Sequence, residues 1–135
     1  MVDVLNDLDR DTSDGALARK RALIRAFAKT VGRMHARGIF HGDLRLGNVL
    51  AAREGQNWRF FFIDNERTRK FHRLPSRLRL KNLVQVNLFI HGITDADRLR
   101  FFGAYLAVNP TIQKHYRRWV EKIIAKTNKR LSRKG

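Results

Sequence analysis

In the stretch His41-Gly42-Asp43-Leu44-Arg45-Leu46-Gly47-Asn48, an Asp stands two residues after a His and an Asn five residues after that Asp. A second carboxylate, Asp64, ends the apolar run Phe60-Phe61-Phe62-Ile63. Phosphoryl transfer asks little covalent chemistry of a protein. It needs a group that orients the acceptor hydroxyl, ligands for a divalent cation, and neutralisation of charge. Asp43 is the candidate to take the hydroxyl proton. Asn48 and Asp64 are the candidates to hold Mg²⁺ on the phosphates of ATP, because carboxylate and amide oxygens are the hard ligands that ion prefers. Arg45, two residues after Asp43, is placed to reach the transferred phosphoryl group. Taken singly, Asp43 reads as a turn cap and Asn48 as a left-handed turn residue; the His, the spacing and Asp64 together favour catalysis. His41 reads as structural, bonded to backbone near Asp64. Glu66 is a further candidate near the metal position, its plain alternative being an Arg-paired surface carboxylate.

The flanking sequence predicts a mainly α domain with one small β-hairpin. Residues 1–14 read as a polar, acidic lead-in. A helix is expected from Ala16 to about Ala36, with Leu23, Ile24, Phe27, Val31 and Met34 on one face and Gly38 as its stop. Val49–Ala51 and Trp58–Ile63 read as strands joined by a turn over Arg53–Asn57, a hairpin with the loop at one end and Asp64 at the other. Residues 65–76 read as irregular. A helix is expected over Arg77–His91, burying Leu80, Leu83, Val84 and Leu88. Thr94 is the expected N-cap of the next helix, with Asp95 and Asp97 in its first turn and Leu99, Phe102, Tyr105 and Leu106 inward. Asn109-Pro110 starts a last helix carrying Tyr116, Trp119, Val120, Ile123 and Ile124, and the tail from Lys126 reads as frayed.

Composition narrows the chemistry. With no cysteine, disulfides and thiolate metal sites are excluded, which is compatible with a reducing cytoplasm. His35, His72, His91 and His115 show no metal-ligand spacing, and Ser13, Ser76 and Ser132 lack a nucleophile-elbow context. No signal peptide is visible, and a run free of Asp, Glu, Lys and Arg as long as any in the chain, residues 82–94, is too short to cross a bilayer. The net charge is +17, from 29 Lys and Arg against 12 Asp and Glu. Such a surface attracts polyanions. Between Arg67 and Lys81 the chain carries Arg67, Arg69, Lys70, Arg73, Arg77, Arg79 and Lys81 and no acid. Directly after Asp64, Arg67, Arg69, Lys70 and Arg73 are the candidates to bind an anionic acceptor.

The run Met34-His35-Ala36-Arg37-Gly38-Ile39-Phe40-His41-Gly42-Asp43 through Asn48 resembles the kinase-like lipopolysaccharide kinases, which phosphorylate Kdo or heptose sugars of the inner core. The likeness continues through Phe61-Phe62-Ile63-Asp64-Asn65-Glu66-Arg67, Arg77–Leu83 and Thr94–Phe101, so that it covers roughly residues 20–108. It implies a protein-kinase-like C-terminal lobe over 15–127, followed by a basic tail at 128–135, with Asp43 as base, Asn48 and Asp64 as metal ligands, ATP and Mg²⁺ as cofactors, and a lipid-linked anionic sugar as substrate. Gly42 replaces the Arg that many protein kinases place before the catalytic Asp, which argues against a protein substrate. The family works at the cytoplasmic face of the inner membrane, so a cytoplasmic protein with peripheral contact to anionic membrane is expected. No glycine-rich loop or strand Lys precedes residue 16. The expectation is therefore a C-terminal lobe whose nucleotide lobe is missing or lies in another chain, and weak or absent activity for this chain alone. Two other functions compete: a non-catalytic basic module binding nucleic acid or anionic membrane, and a kinase of aminoglycoside- or choline-like alcohols, whose cationic acceptors a +17 surface would repel.

Overall fold

In a computed structural model, residues 1–134 are described. The chain forms α1 (Val2–Arg10), α2 (Ala16–Ala36), β1 (Ile39–Phe40), a 3₁₀ turn (Leu46–Asn48), β2 (Val49–Glu54), β3 (Asn57–Phe62), β4 (Arg69–Lys70), α3 (Ser76–Asn87), α4 (Asp95–Ala107), α5 (Pro110–Gln113) and α6 (Tyr116–Lys134). The expected mainly α domain with a small antiparallel hairpin is present. Its core gathers Leu23, Ile24, Phe27 and Val31 of α2, Leu83 of α3, Phe102, Tyr105 and Leu106 of α4, and Leu44, Leu46 and Val49 from the loop side. Phe27 packs its ring against both Phe60 of β3 and Phe101 of α4, at centroid distances of 5.2 and 5.9 Å.

Several elements depart from the sequence expectation, each for a physical reason. Residues 2–10 are not an irregular lead-in: they form α1, and Met1 and Leu5 are buried in the core. Met1, Leu5 and Leu8 recur at helical spacing, but the acids between them mask the pattern. Residues 65–76 contain β4, which pairs antiparallel with β1, Ile39 opposite Lys70 and Phe40 opposite Arg69. Gly38 permits this pairing. It sits at φ +80°, and a Cβ there would lie 2.0 Å from the Phe71 carbonyl oxygen. The hairpin turn is tighter than expected, with both strands running in to a two-residue loop at Gly55-Gln56.

Helix α3 stops at Asn87, short of His91. Arg98 of α4 accounts for the stop: it donates to the carbonyls of Asn87 (2.8 Å) and Phe89 (3.2 Å) and to the Asn87 side chain, so these groups are satisfied without further helix. Thr94 caps α4 as expected, in a reciprocal box with Asp97. Leu99, expected inward, is 65% exposed because it faces an open apolar cavity rather than a packed neighbour. The last helix is two, α5 and α6. Tyr116 and Ile124 are exposed on α6, whereas Trp119, Val120 and Ile123 pack against the core. The residues expected to fray continue α6 to Lys134. Thr127 is buried and accepts a 3.0 Å hydrogen bond from Asn87, which fastens α6 to the end of α3. Gly135, the end of the expected basic tail, lies outside the described residues. Buried Lys20 ties three helices together: its ammonium donates to Gly92 O and pairs with Asp97 (3.4 Å) and Asp9 (3.6 Å).

Candidate active site

The loop from His41 to Asn48 is held from below by α3. Asn82 donates to His41 O (2.8 Å) and accepts from His41 N (3.2 Å); Gln85 accepts from Leu44 N (3.1 Å) and from Asn82 (2.9 Å). Both are buried on the inward face of α3, one turn apart. The network runs deeper. His35 Nε2 donates to Asn82 Oδ1 (3.0 Å), Tyr105 donates its hydroxyl proton to His35 Nδ1 (2.6 Å), and Arg79 donates to the Tyr105 oxygen (2.6 Å) and to Asn109 (2.9 Å). This direction of donors requires neutral His35, and burial lowers its pKa to about 4.

His41 joins the two halves of the site. Its Nε2 donates to Ile63 O (3.1 Å) and its Nδ1 accepts from Asp43 N (3.0 Å), so both ring nitrogens are used and the ring fixes the Asp43 backbone relative to Asp64. The hairpin register does the same from the other side. Val49 pairs with Phe62, and Ile63 N donates to Asn48 O (2.9 Å), which puts Asp64 next to Asn48 across sixteen residues of sequence. Asp64 has φ +59°, the one non-glycine residue in the left-handed region among those described. This strain costs of order 1 kcal/mol and is a common mark of functional positions.

Asn48 donates its amide nitrogen to Asp43 O (3.1 Å), leaving its amide oxygen without a donor. Asp64 and Glu66 take part in no ion pair among the described residues. Asp43 is engaged: Arg45 forks onto it, Nε to Oδ1 at 2.8 Å and Nη2 to Oδ2 at 2.6 Å. That hydrogen-bonded guanidinium holds the Asp43 carboxyl below the usual carboxylate range, outweighing partial burial. Arg45 therefore lies on the carboxylate rather than reaching outward.

Asp43, Asp64 and Glu66 open onto a cleft of about 460 Å³ whose walls include Gly42, Arg45 and Arg67, with Lys81 and Gln85 of α3, Leu88 just beyond it, and Arg130 of α6. Of the cations expected at the acceptor, Arg67 stands in the cleft; Arg69, Lys70 and Arg73 are exposed and are not among its walls. Gly42 explains the placement of Arg67. A Cβ on Gly42 would meet Arg67 Cβ at 2.4 Å and Arg67 Cα at 3.0 Å, so only glycine lets the two backbones close. Sequence reading missed Asn82, Gln85 and Arg130. Asn82 and Gln85 carry a readable signal, polar residues at core positions of a helix between Leu80, Leu83 and Val84. Arg130 carries none, because its placement depends on the Thr127 contact.

The residues fit a divalent cation of the Mg²⁺ type. Asn48 and Asp64 present hard oxygens free of protein partners, on backbone that the hairpin register brings together. No group of three or more His, Asp or Glu able to hold a metal stands among the described residues. An ion here would take two protein oxygens and complete its shell with phosphates and water, as Mg²⁺ does. No described helix is long and apolar enough to cross a membrane.

Comparison with known proteins gives a consistent picture. The chain is 33% identical over 92 residues to the lipopolysaccharide core heptose(I) kinase WaaP of Pseudomonas aeruginosa, a match over 64% of this chain and 34% of that protein. Its fold superimposes on a solved structure of WaaP in complex with acyl carrier protein with a TM-score of 0.74 and 26% identity, over 93% of this chain and 54% of that one. The chain thus spans about a third of the curated relative and about half of the solved one. The family described as lipopolysaccharide kinase (Kdo/WaaP) matches residues 2–105, beginning inside α1. On that match, covering most of its length, the chain belongs to the lipopolysaccharide kinase (Kdo/WaaP) family.

Proposed function

We propose that this chain serves an ATP-dependent phosphotransferase acting on a sugar hydroxyl of the lipopolysaccharide inner core, on Kdo or heptose. The observation that carries this is the convergence of Asp43, Asn48 and Asp64, which His41 and the β2–β3 register hold together. Asp43, ionised at neutral pH, orients the acceptor hydroxyl and takes its proton at a carboxylate oxygen once Arg45 swings off toward the transferred phosphoryl group. Asn48 Oδ1 and the Asp64 carboxylate would hold Mg²⁺, which would neutralise phosphate charge. Leu50 and Phe61, cross-strand partners exposed on the outer face of the hairpin, offer an apolar surface beside the metal position for the nucleotide base.

Two measurements test this. Mn²⁺, added as a paramagnetic stand-in, should broaden the amide signals of Asn48 and Asp64 first, and Asp64→Asn should remove that selectivity. In a transfer assay with Mg-ATP and inner-core lipopolysaccharide, Asp43→Asn should lower whatever rate the chain supports by about 10³-fold or more. Uniform broadening across the surface, or an Asp43→Asn rate equal to a measurable wild-type rate, would refute the assignment. A basic nucleic-acid or membrane module has no use for a strained Asp64 beside a free amide oxygen, and its binding would not change with Asp43.

The solved relative is a complex with acyl carrier protein. A half-open cavity of about 550 Å³ here, lined by Phe27, Leu83, Phe101, Phe102, Ile123 and Leu131 among others, has the apolar lining an acyl chain fills. We extend the same class of partner to this chain. Acylated carrier protein should raise its melting temperature more than the unacylated form does.

A further inference from the structure

We propose that Arg67, Lys81 and Arg130 form an oxyanion subsite that reads a phosphate or carboxylate on the acceptor sugar, beside the hydroxyl presented to Asp43. This rests on the phosphotransferase reading above and goes beyond it in naming the group recognised and the residues that recognise it. The three cations come from three separate parts of the fold, the segment after Asp64, helix α3 and helix α6, and they meet in one cleft with Asp43. None forms an ion pair among the described residues, whereas Arg45, the fourth cation there, is already taken by Asp43.

Each is placed by a specific contact. Arg67 is set by the closeness of its backbone to Gly42. Lys81 carries its ammonium over the Phe40 ring, 5.9 Å from the centroid, at the strand that leads into His41. Arg130 lies three residues beyond Thr127, the buried residue that Asn87 fastens to α3, so one turn of helix carries it from that anchor to the cleft wall beside Leu88.

The chemistry follows from the charges. Guanidinium groups fork onto oxyanions with two parallel hydrogen bonds, and an ammonium adds a point charge. Asp64 and Glu66 also face the cleft, so the anion must sit on the Arg130 and Lys81 side, away from the metal position. A neutral sugar closing over this wall would strip water from three cations and give nothing back. A sugar bearing an oxyanion satisfies them, so selectivity arises from the partners that would otherwise be left unpaired. The acceptor is chosen as the source, rather than ATP, because Leu50 and Phe61, the apolar surface offered to the nucleotide base, are not among the walls of this cleft.

The test is an NMR titration of the whole 135-residue chain at fixed ionic strength with two matched pairs of probes: Kdo against its methyl ester, and mannose 6-phosphate against mannose. The charged member of at least one pair should bind about tenfold or more tightly. Dependence on the Kdo pair identifies a carboxylate, and on the phosphate pair a phosphate. Arg130→Gln should remove most of that advantage. Lys129→Gln, the same charge loss on the same helix away from the cleft, should change it less than about twofold. Equal effects of Arg130→Gln and Lys129→Gln would reduce the subsite to general basic surface and overturn it. So would competition between the charged sugar and a non-hydrolysable Mg-ATP analogue, which would give the cations to the nucleotide. The Mn²⁺ response at Asp64 is read separately: lost Mn²⁺ selectivity condemns the kinase reading, whereas lost anion preference with Mn²⁺ selectivity intact condemns only the subsite.

Discussion

The position before Asp43 shows how much one side chain, or its absence, can specify. Gly42 was legible in the sequence as a departure from the Arg of many protein kinases, but its reason was not: the space a side chain would need is filled by Arg67 Cβ and backbone. Gly42→Ala should therefore push the segment after Asp64 outward. The expected cost is about 1–3 kcal/mol, the usual range for overpacking against backbone, read as a lowered urea midpoint with unchanged slope. His35 supplies a second expectation at this scale. An unfolded chain takes up a proton at this residue near pH 6.5, and burial delays that uptake to about 4 in the folded chain. The unfolded state thus binds more protons between those values, and stability falls as pH drops through that window, by up to about 3 kcal/mol. His35→Gln lacks the titrating group, so the difference between wild-type and variant stability curves should shrink from pH 7 to pH 4. A constant difference would mean that His35 is not the neutral acceptor of the Tyr105 proton.

At the level of elements, α3 is the platform of the site. Its apolar face packs on the core as its periodicity predicts, while Asn82 and Gln85 on that same face carry the loop from His41 to Asn48. Asn82→Ala would leave His41 O and N, His35 Nε2 and one bond of Gln85 unmatched. A loss of about 2–3 kcal/mol is expected, with selectively faster hydrogen exchange at the His41, Asp43 and Leu44 amides. Exchange accelerated evenly over the whole chain would point to general destabilisation instead. Elements governed by local pattern were readable: α2 from its apolar stripe, the hairpin from its alternating aromatic strand, the start of α4 from Thr94 and Asp97. So was the adjacency of the Asp43, Asn48 and Asp64 backbones, because loop spacing and hairpin register are both local. What was not readable depends on partners remote in sequence. β4 is two residues long and exists only because β1 lies beside it. Asn87 ends α3 because Arg98 binds its carbonyl. α6 holds its course, and brings Arg130 to the cleft, because Thr127 is pinned to α3. Leu99 fits the apolar stripe of α4 yet faces a cavity.

For the whole molecule, the charge asymmetry along the sequence turns out to be a packing feature. Asp3, Asp7 and Asp9 sit on α1, whose other face is core: Met1 and Leu5 are buried, and Asp9 reaches Lys20 at the junction of α1, α2 and α4. Met1 N also donates to Val49 O at 2.8 Å, the first residue of the hairpin strand that follows Asn48. The segment read as a lead-in is therefore bonded to the strand that follows Asn48, and α1 supports the candidate site through β2. Leu5 is 2% exposed and touches the same apolar cluster as Leu23 and Phe27. Leu5→Ala should then cost about 2–5 kcal/mol, as for other large-to-small changes in a packed core. Asp3→Ala on the outward face of the same helix should cost less than about 0.5 kcal/mol. Both are measured by urea unfolding, and the amide signals of Val49 and Leu50 report whether the disturbance reaches the hairpin. If residues 1–10 were a solvated appendage, both substitutions would leave the unfolding midpoint where it is. A large loss for Leu5→Ala alone, with shifted Val49 and Leu50 signals, is what a helix built into the core and bonded to β2 requires.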